Sequence, residues 1–385
     1  MDASTYSVKF NSIRPFNADE LPAVFERLLA NEQFKSVITY VFPDIPYEVF
    51  AEQLRACQTS LDVQKKFAYR FLENLLAKAS KGGDMDVSAI DHTRRYTFLS
   101  NHRDIVLDSA LLAKFLIDNG FNTTCEIAIG DNLLSLPWVK DLVRVNKSFI
   151  VERDLPIRQM LASSKLLSEY MHYAINEKNE NIWIAQREGR AKDSNDRTQE
   201  AVLKMMAIGG EGDTIDRLKD LHIVPLAISY EFDPCDYLKA QEMQLKRDNA
   251  DYKKTAQDDV LSMQTGIMGY KGYVHYHCAP CIDGFLDTLG RDMPKSDLFP
   301  AIARHIDQEI YRNYRFYPSN FIACDLLAGS TELRQHYTDE DKAAFEQYLG
   351  RQLAKIDIPH KDETFLRERM LEMYANPFKN FLNTP

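Results

Sequence analysis

The chain has 385 residues, 45% of them hydrophobic, a length that suits two domains or one extended α/β domain with a helical appendage. Its formal net charge of −10 argues against a nucleic-acid binder, which presents a basic surface, and weakens electrostatic attachment to anionic lipid. Met1 to Tyr6 carry no basic flank and no apolar run, and nowhere do eighteen apolar residues follow one another. No signal peptide and no membrane span are therefore expected. The six cysteines, Cys57, Cys125, Cys235, Cys278, Cys281 and Cys324, are scattered, and read as reduced cytosolic thiols.

Residues 1–90 read as an N-terminal helical region. Glu20–Leu29 and Val63–Ala79 repeat apolar residues at helical spacing, the second through Phe67, Phe71, Leu75 and Leu76. Tyr40, Phe42, Tyr47 and Phe50 are expected in a core or domain interface. Lys81-Gly82-Gly83-Asp84 reads as a chain break.

From residue 91 to 290 short β-rich runs alternate with helical stretches, the pattern of a mainly parallel, buried sheet flanked by helices. The expected strands are Tyr96–Ser100, Thr124–Ile129, Ser148–Glu152, Ile182–Ala185, Ile223–Tyr230 and Tyr273–Cys278. The expected helices are Val106–Asn119, Leu133–Val143, Pro156–Asn176, Thr198–Ile208 and Thr214–Leu218. Pro225 inside a strand suggests an edge, a bulge or a strand start. Residues 235–266, with lysines and aspartates interleaved, read as a solvated helix or connector. Residues 291–385 read as a helical C-terminal extension, whose Leu366–Leu382 stretch docks on the domain or touches a lipid surface.

Two stretches carry chemistry. In Arg95–Asp108 a short strand runs into a polar turn holding His102, followed by an apolar helix. Histidine titrates nearest neutrality, so a carboxylate that orients it makes a general base. Asp108 shares a helix face with Leu111, Leu112 and Phe115, and a carboxylate there needs a partner. Asp104 is the helix N-cap or the rival carboxylate. In Ile182–Lys192 a strand enters a turn with Gly189 and the cations Arg187, Arg190 and Lys192. Glycine admits close backbone approach and guanidinium forks match phosphate oxygens. Both turns lie beyond the carboxyl ends of strands, where α/β sheets gather ligands. His275, His277, Cys278 and Cys281 are the remaining ligand-type cluster. The two histidines share one strand face with Cys278 opposite, and no metal site is expected there.

Four blocks in this order resemble the glycerolipid acyltransferase family, and most of all its bacterial glycerol-3-phosphate acyltransferase branch. Ser100-Asn101-His102 through Asp108 resembles the first block, Phe149-Ile150 with Arg153 the second, Glu188-Gly189-Arg190 the third, and Ile223–Glu231 with Pro225 the fourth. Gly272–Tyr276 is similar to a strand that follows the fourth block in the glycerol-3-phosphate enzymes. The likeness spans roughly residues 94–282. It implies His102 and Asp108 as the catalytic pair and Arg153, Arg187, Glu188, Gly189 and Arg190 as the phosphate-binding group. It further implies an O-acyltransferase that needs no cofactor and no metal. The donor is acyl-CoA or acyl carrier protein, and the acceptor glycerol 3-phosphate or a lysophospholipid. Because the product is a lipid, a cytoplasmic protein peripheral on the inner membrane face is expected.

Two positions depart from the family. Its aspartate usually stands five after the histidine, where this chain has Leu107. Its glutamate usually stands three before the arginine, where this chain has Arg187. These departures support another reading, a catalytically degenerate lipid- or acyl-carrier-binding protein; a thioester hydrolase using the same base on water, and a transferase acting on an amino-acid lipid that suits the cations, are further readings.

Overall fold

The computed structural model describes residues 8–153 and 155–384. Its strands are β1 (Gly82–Asp86), β2 (Thr97–Ser100), β3 (Cys125–Gly130), β4 (Ser148–Val151), β5 (Asn181–Ala185), β6 (Ile223–Tyr230) and β7 (Tyr273–Cys278). They form one sheet in the order β1-β7-β6-β2-β5-β3-β4. From β6 through β4 every pair is parallel; β7 runs antiparallel to β6 and parallel to β1. The protein is thus a mixed α/β fold with a mostly parallel sheet flanked by helices.

From β6 to β4 both faces of the sheet are covered, which is why those strands read as nearly continuous apolar runs, whereas β1 and β7 are only partly buried. On one face Phe98, Trp183 and Val224 pack under the helices Tyr69–Ala79 and Leu107–Asp118. On the other, Leu99, Ile184 and Ala227 meet the helices Ile157–Asn176 and Lys295–Arg312. Phe10 and Ile13 join this second core, and the Ile150 amide donates to Ile13 O at 2.9 Å beside β4.

Several local expectations differ from the structure. Gly82–Asp86 is an edge strand, not a break. A Cβ at Gly83 would stand 3.0 Å from both Phe115 Cζ and Val274 O, so close packing requires the glycine that makes the segment look like a loop. Pro225 sits in β6, between β7 and β2. Its carbonyl accepts from Ala279 N at 2.9 Å, one position beyond the last β6–β7 ladder pair, Leu226 with Cys278. The missing N–H thus falls where no ladder bond is required. Tyr40 is exposed, whereas Phe42, Tyr47 and Phe50 pack together. The helix expected at Leu133–Val143 begins at Pro137, a residue suited to a first helical position.

Residues 235–266 are not a solvated connector. They form the helices Asp236–Asp248 and Ala256–Met268, and the first buries Asp236, Lys239, Glu242 and Gln244. Ion pairs make that possible: Lys239 with Asp233, and Glu242 with both Lys192 and Lys246. In the Glu363–Leu382 helix, Leu366, Met370, Met373, Tyr374 and Phe378 are buried against the helices Pro318–Ala328 and Asp339–Leu353, leaving Phe381 and Leu382 exposed.

Candidate active site

His102 follows β2 by two residues, and the chain between it and the Leu107–Asp118 helix folds into a tight polar turn. Asn101 anchors the turn: its Nδ2 donates to Ile228 O at 2.9 Å, and its Oδ1 accepts from Ile228 N at 2.8 Å. Asp108, fully buried in the first helical turn, points back into this loop. Its Oδ2 accepts from the backbone N–H groups of Arg103 (2.6 Å) and Asp104 (3.0 Å) and lies 2.8 Å from His102 Nδ1. Tyr230 OH reaches its Oδ1 at 3.3 Å, and Tyr276 OH donates to its backbone carbonyl at 2.9 Å.

A carboxylate only accepts, so Nδ1 carries the imidazole proton and Nε2 presents a lone pair. The His102 side chain is 13% exposed, and Trp183 packs edge-on against it with ring centroids 5.6 Å apart. The imidazole is therefore held by Asp108 through Nδ1 and packed against Trp183, with a small part of the ring left exposed.

Asp104 takes a different part. Its Oδ1 accepts from Val106 N (2.9 Å) and Leu107 N (2.8 Å), capping the helix. Burial, with Asp108 nearby, pushes its carboxyl above the usual range. Gly266 lies against Asp104 Oδ2, where any Cβ would collide. The glycine lets the Ala256–Met268 helix close over the turn.

The third block follows β5, the strand beside β2. Gly189 has φ +65° and makes the turn. Arg190 is 8% exposed, and its Nη1 has no hydrogen-bond partner. Arg190 lines a cavity with Lys192, Lys239 and Lys254 and with the carboxylates Glu242 and Asp258. Lys239, which lines the same cavity as Arg190, donates to the Arg103 carbonyl of the His102 turn. Burial, with Arg190 alongside, brings Lys192 down to about 8 despite its 2.8 Å ion pair to Glu242. Lys192, Lys239 and Lys254 are each paired with a carboxylate, Glu242, Asp233 and Asp259, so Arg190, with Nη1 unbonded, is the lining cation left to meet an anion.

The other expected phosphate ligands are arranged differently. Arg153 Nη1 pairs with Glu188 at 3.2 Å, tying the ends of β4 and β5 together, and Glu188 itself is exposed. Arg187 is half-buried, and its charge acts on Asp196. The Cys/His cluster is dispersed. His275 Nδ1 lies 2.7 Å from Asp84, His277 is 3.7 Å from Asp86, and Cys278 is buried.

Sequence reasoning missed several neighbours. Arg103 and Asp196 form a buried ion contact at 3.0 Å, with the Arg103 guanidinium over the Tyr314 ring. Lys239 donates to the Arg103 carbonyl at 3.1 Å from the helix taken for a connector. Gln186, just past β5, is fully buried with neither side-chain polar atom hydrogen-bonded. No local pattern marks these residues, because their partners come from distant segments.

Residues 84–229 match the family model described as Acyltransferase. No relative among curated proteins matches the chain. Among solved structures, the 1-acyl-sn-glycerophosphate acyltransferase PlsC from Thermotoga maritima aligns at 12% identity with a TM-score of 0.39, covering 75% of this chain and 94% of that one.

Proposed function

We propose, from the premise that residues 84–229 are an acyltransferase-family domain, that the protein transfers an acyl group from a thioester to the hydroxyl of a phosphorylated glycerol acceptor. The donor is acyl-CoA or acyl carrier protein, and the acceptor glycerol 3-phosphate or a lysophospholipid. The observation that carries this reading is the His102–Asp108 pair at 2.8 Å, set on the strand end beside the one whose turn holds the buried, unpartnered Arg190.

His102 Nε2 takes the proton from the acceptor hydroxyl as that oxygen attacks the thioester carbonyl. Asp108 fixes the tautomer and stabilises the imidazolium that forms. Collapse of the tetrahedral species expels the thiolate, which is reprotonated, so no covalent enzyme intermediate is required. Arg190, with Lys192, holds the acceptor's phosphate and so positions the hydroxyl. The Arg153–Glu188 pair shapes the rim. A lipid product implies delivery to a membrane surface, and no helix among the described residues is long and apolar enough to cross one. The protein then works peripherally, on the cytoplasmic face.

Arg190→Ala is expected to raise the acceptor KM about 10- to 100-fold, the loss of one charge-assisted contact of about 1.5–3 kcal/mol, with a smaller change in kcat. Initial rates at varied acceptor concentration check this, and an unchanged KM removes Arg190 from the phosphate site. A pH series adds a second test. Lys192, held at about 8, is charged below that value and loses its proton above it. The acceptor KM should therefore climb as pH passes 8, and Lys192→Arg, which stays protonated, should flatten the rise. A KM that stays level in the parent protein would contradict the assignment of Lys192.

A further inference from the structure

At the opposite end of the sheet from His102 lies a side-chain group that acyl transfer does not use. His222 precedes β6, and Cys281 and Asp283 follow β7. The antiparallel pairing of these strands brings the three together, with Ile282 N donating to Ile223 O at 2.9 Å between them. One ligand atom from each of His222, Cys281 and Asp283 lies within 4.8 Å of the others, and among the described residues this is the one such group.

Two observations mark the group as more than a surface salt bridge. Asp283 Oδ1 is buried and has no hydrogen-bond partner, a cost that a ligand would remove. His222 Nδ1 lies 2.7 Å from the other oxygen, Asp283 Oδ2, so the imidazole and the carboxylate already face each other. Arg94 stands alongside, its Nη2 3.3 Å from His222 Nδ1 and 3.9 Å from Asp283 Oδ2, with a side chain 49% exposed.

We propose that His222, Cys281 and Asp283 form a zinc site, with water as the fourth ligand. One imidazole nitrogen, one thiolate and one carboxylate suit a borderline-soft, tetrahedral ion, whereas calcium or magnesium takes oxygen ligands. On binding, the Cys281 S–H bond breaks, an S–Zn bond forms and the proton goes to solvent. Thiolate and carboxylate then neutralise the ion's two charges. Arg94 is the cation that balances Asp283 in the absence of metal, and being half exposed it swings into solvent when the ion arrives. The ion joins the start of β6 to the end of β7. Its work is to staple the strand pair that carries the catalytic sheet, away from the acyl-transfer chemistry.

Cobalt titration of the full chain, stripped of metal with a chelator, tests this. One equivalent of Co2+ should produce a near-ultraviolet thiolate-to-cobalt charge-transfer band with visible bands of tetrahedral intensity, and Zn2+ should displace both. Cys281→Ser should abolish the charge-transfer band, and His222→Gln should weaken binding at least tenfold. Arg94→Met, which removes the competing cation, should tighten binding. Circular dichroism and retained acyl transfer show that each variant is folded. No charge-transfer band in folded parent protein under a large excess of Co2+ would overturn the proposal, as would a band that survives in Cys281→Ser.

Discussion

Replacing His102 by alanine is expected to lower acyl transfer by about 10²–10⁴-fold, the range for loss of a positioned general base, without unfolding the protein. The imidazole bonds Asp108 and meets Trp183 edge-on, and circular dichroism of the variant checks that the fold is kept. Asp108→Asn is different in kind. An amide can still accept from the Arg103 and Asp104 N–H groups, but it forms no charge pair with an imidazolium and no longer dictates the tautomer. Activity should fall nearly as far as in His102→Ala, and the two losses should not add in the double variant, because the residues act as one unit. Additive losses would separate Asp108 from the catalytic step.

The second large effect concerns stability. Asp196 is fully buried, and its contact with Arg103 at 3.0 Å is badly aligned. Neither Asp196 oxygen nor Arg103 Nη1 completes a hydrogen bond. Burial pushes the Asp196 carboxyl up, while the carboxylate beside it keeps Arg103 firmly protonated. Asp196→Leu leaves that guanidinium buried beside the Tyr314 ring and hydroxyl, with no directly contacting carboxylate among the described residues. The expected cost is about 3 kcal/mol, the lower part of the range for breaking a buried pair, read as a lowered thermal midpoint. The double replacement Arg103→Met with Asp196→Leu should recover most of it, since well-packed apolar side chains replace such pairs at little cost. A double variant as unstable as the single one would show that the loss comes from packing.

Much of the sheet is legible because five of its strands, from Thr97–Ser100 to Ile223–Tyr230, are largely buried β-rich runs, and Tyr273–Cys278 alternates buried and half-buried residues with the period of a strand. β1 is not legible, because an edge strand that must pass close to Phe115 and Val274 is built from Gly82, Gly83 and Asp84, the residues that elsewhere signal a turn. The His102 turn and its two rival carboxylates were legible from spacing. The choice between them was not, since it depends on two backbone N–H groups that converge on Asp108 while Asp104 caps the helix. The Asp236–Asp248 helix does not read as a packed element for a related reason: its inward face carries Asp236, Lys239 and Glu242, and only the folded chain supplies their partners. Arg190, by contrast, was visible as a cation in a glycine turn, although nothing in the sequence revealed that it would be buried and unpaired.

The most direct test of acyl transfer is an assay of thiol release from acyl-CoA and acyl carrier protein across hydroxyl acceptors, with the products identified. Release should depend on a phosphate-bearing acceptor such as glycerol 3-phosphate or a lysophosphatidate, yield its O-acyl ester, and disappear in His102→Ala. Free fatty acid formed regardless of acceptor, or ester formed at the parent rate by His102→Ala, would contradict it.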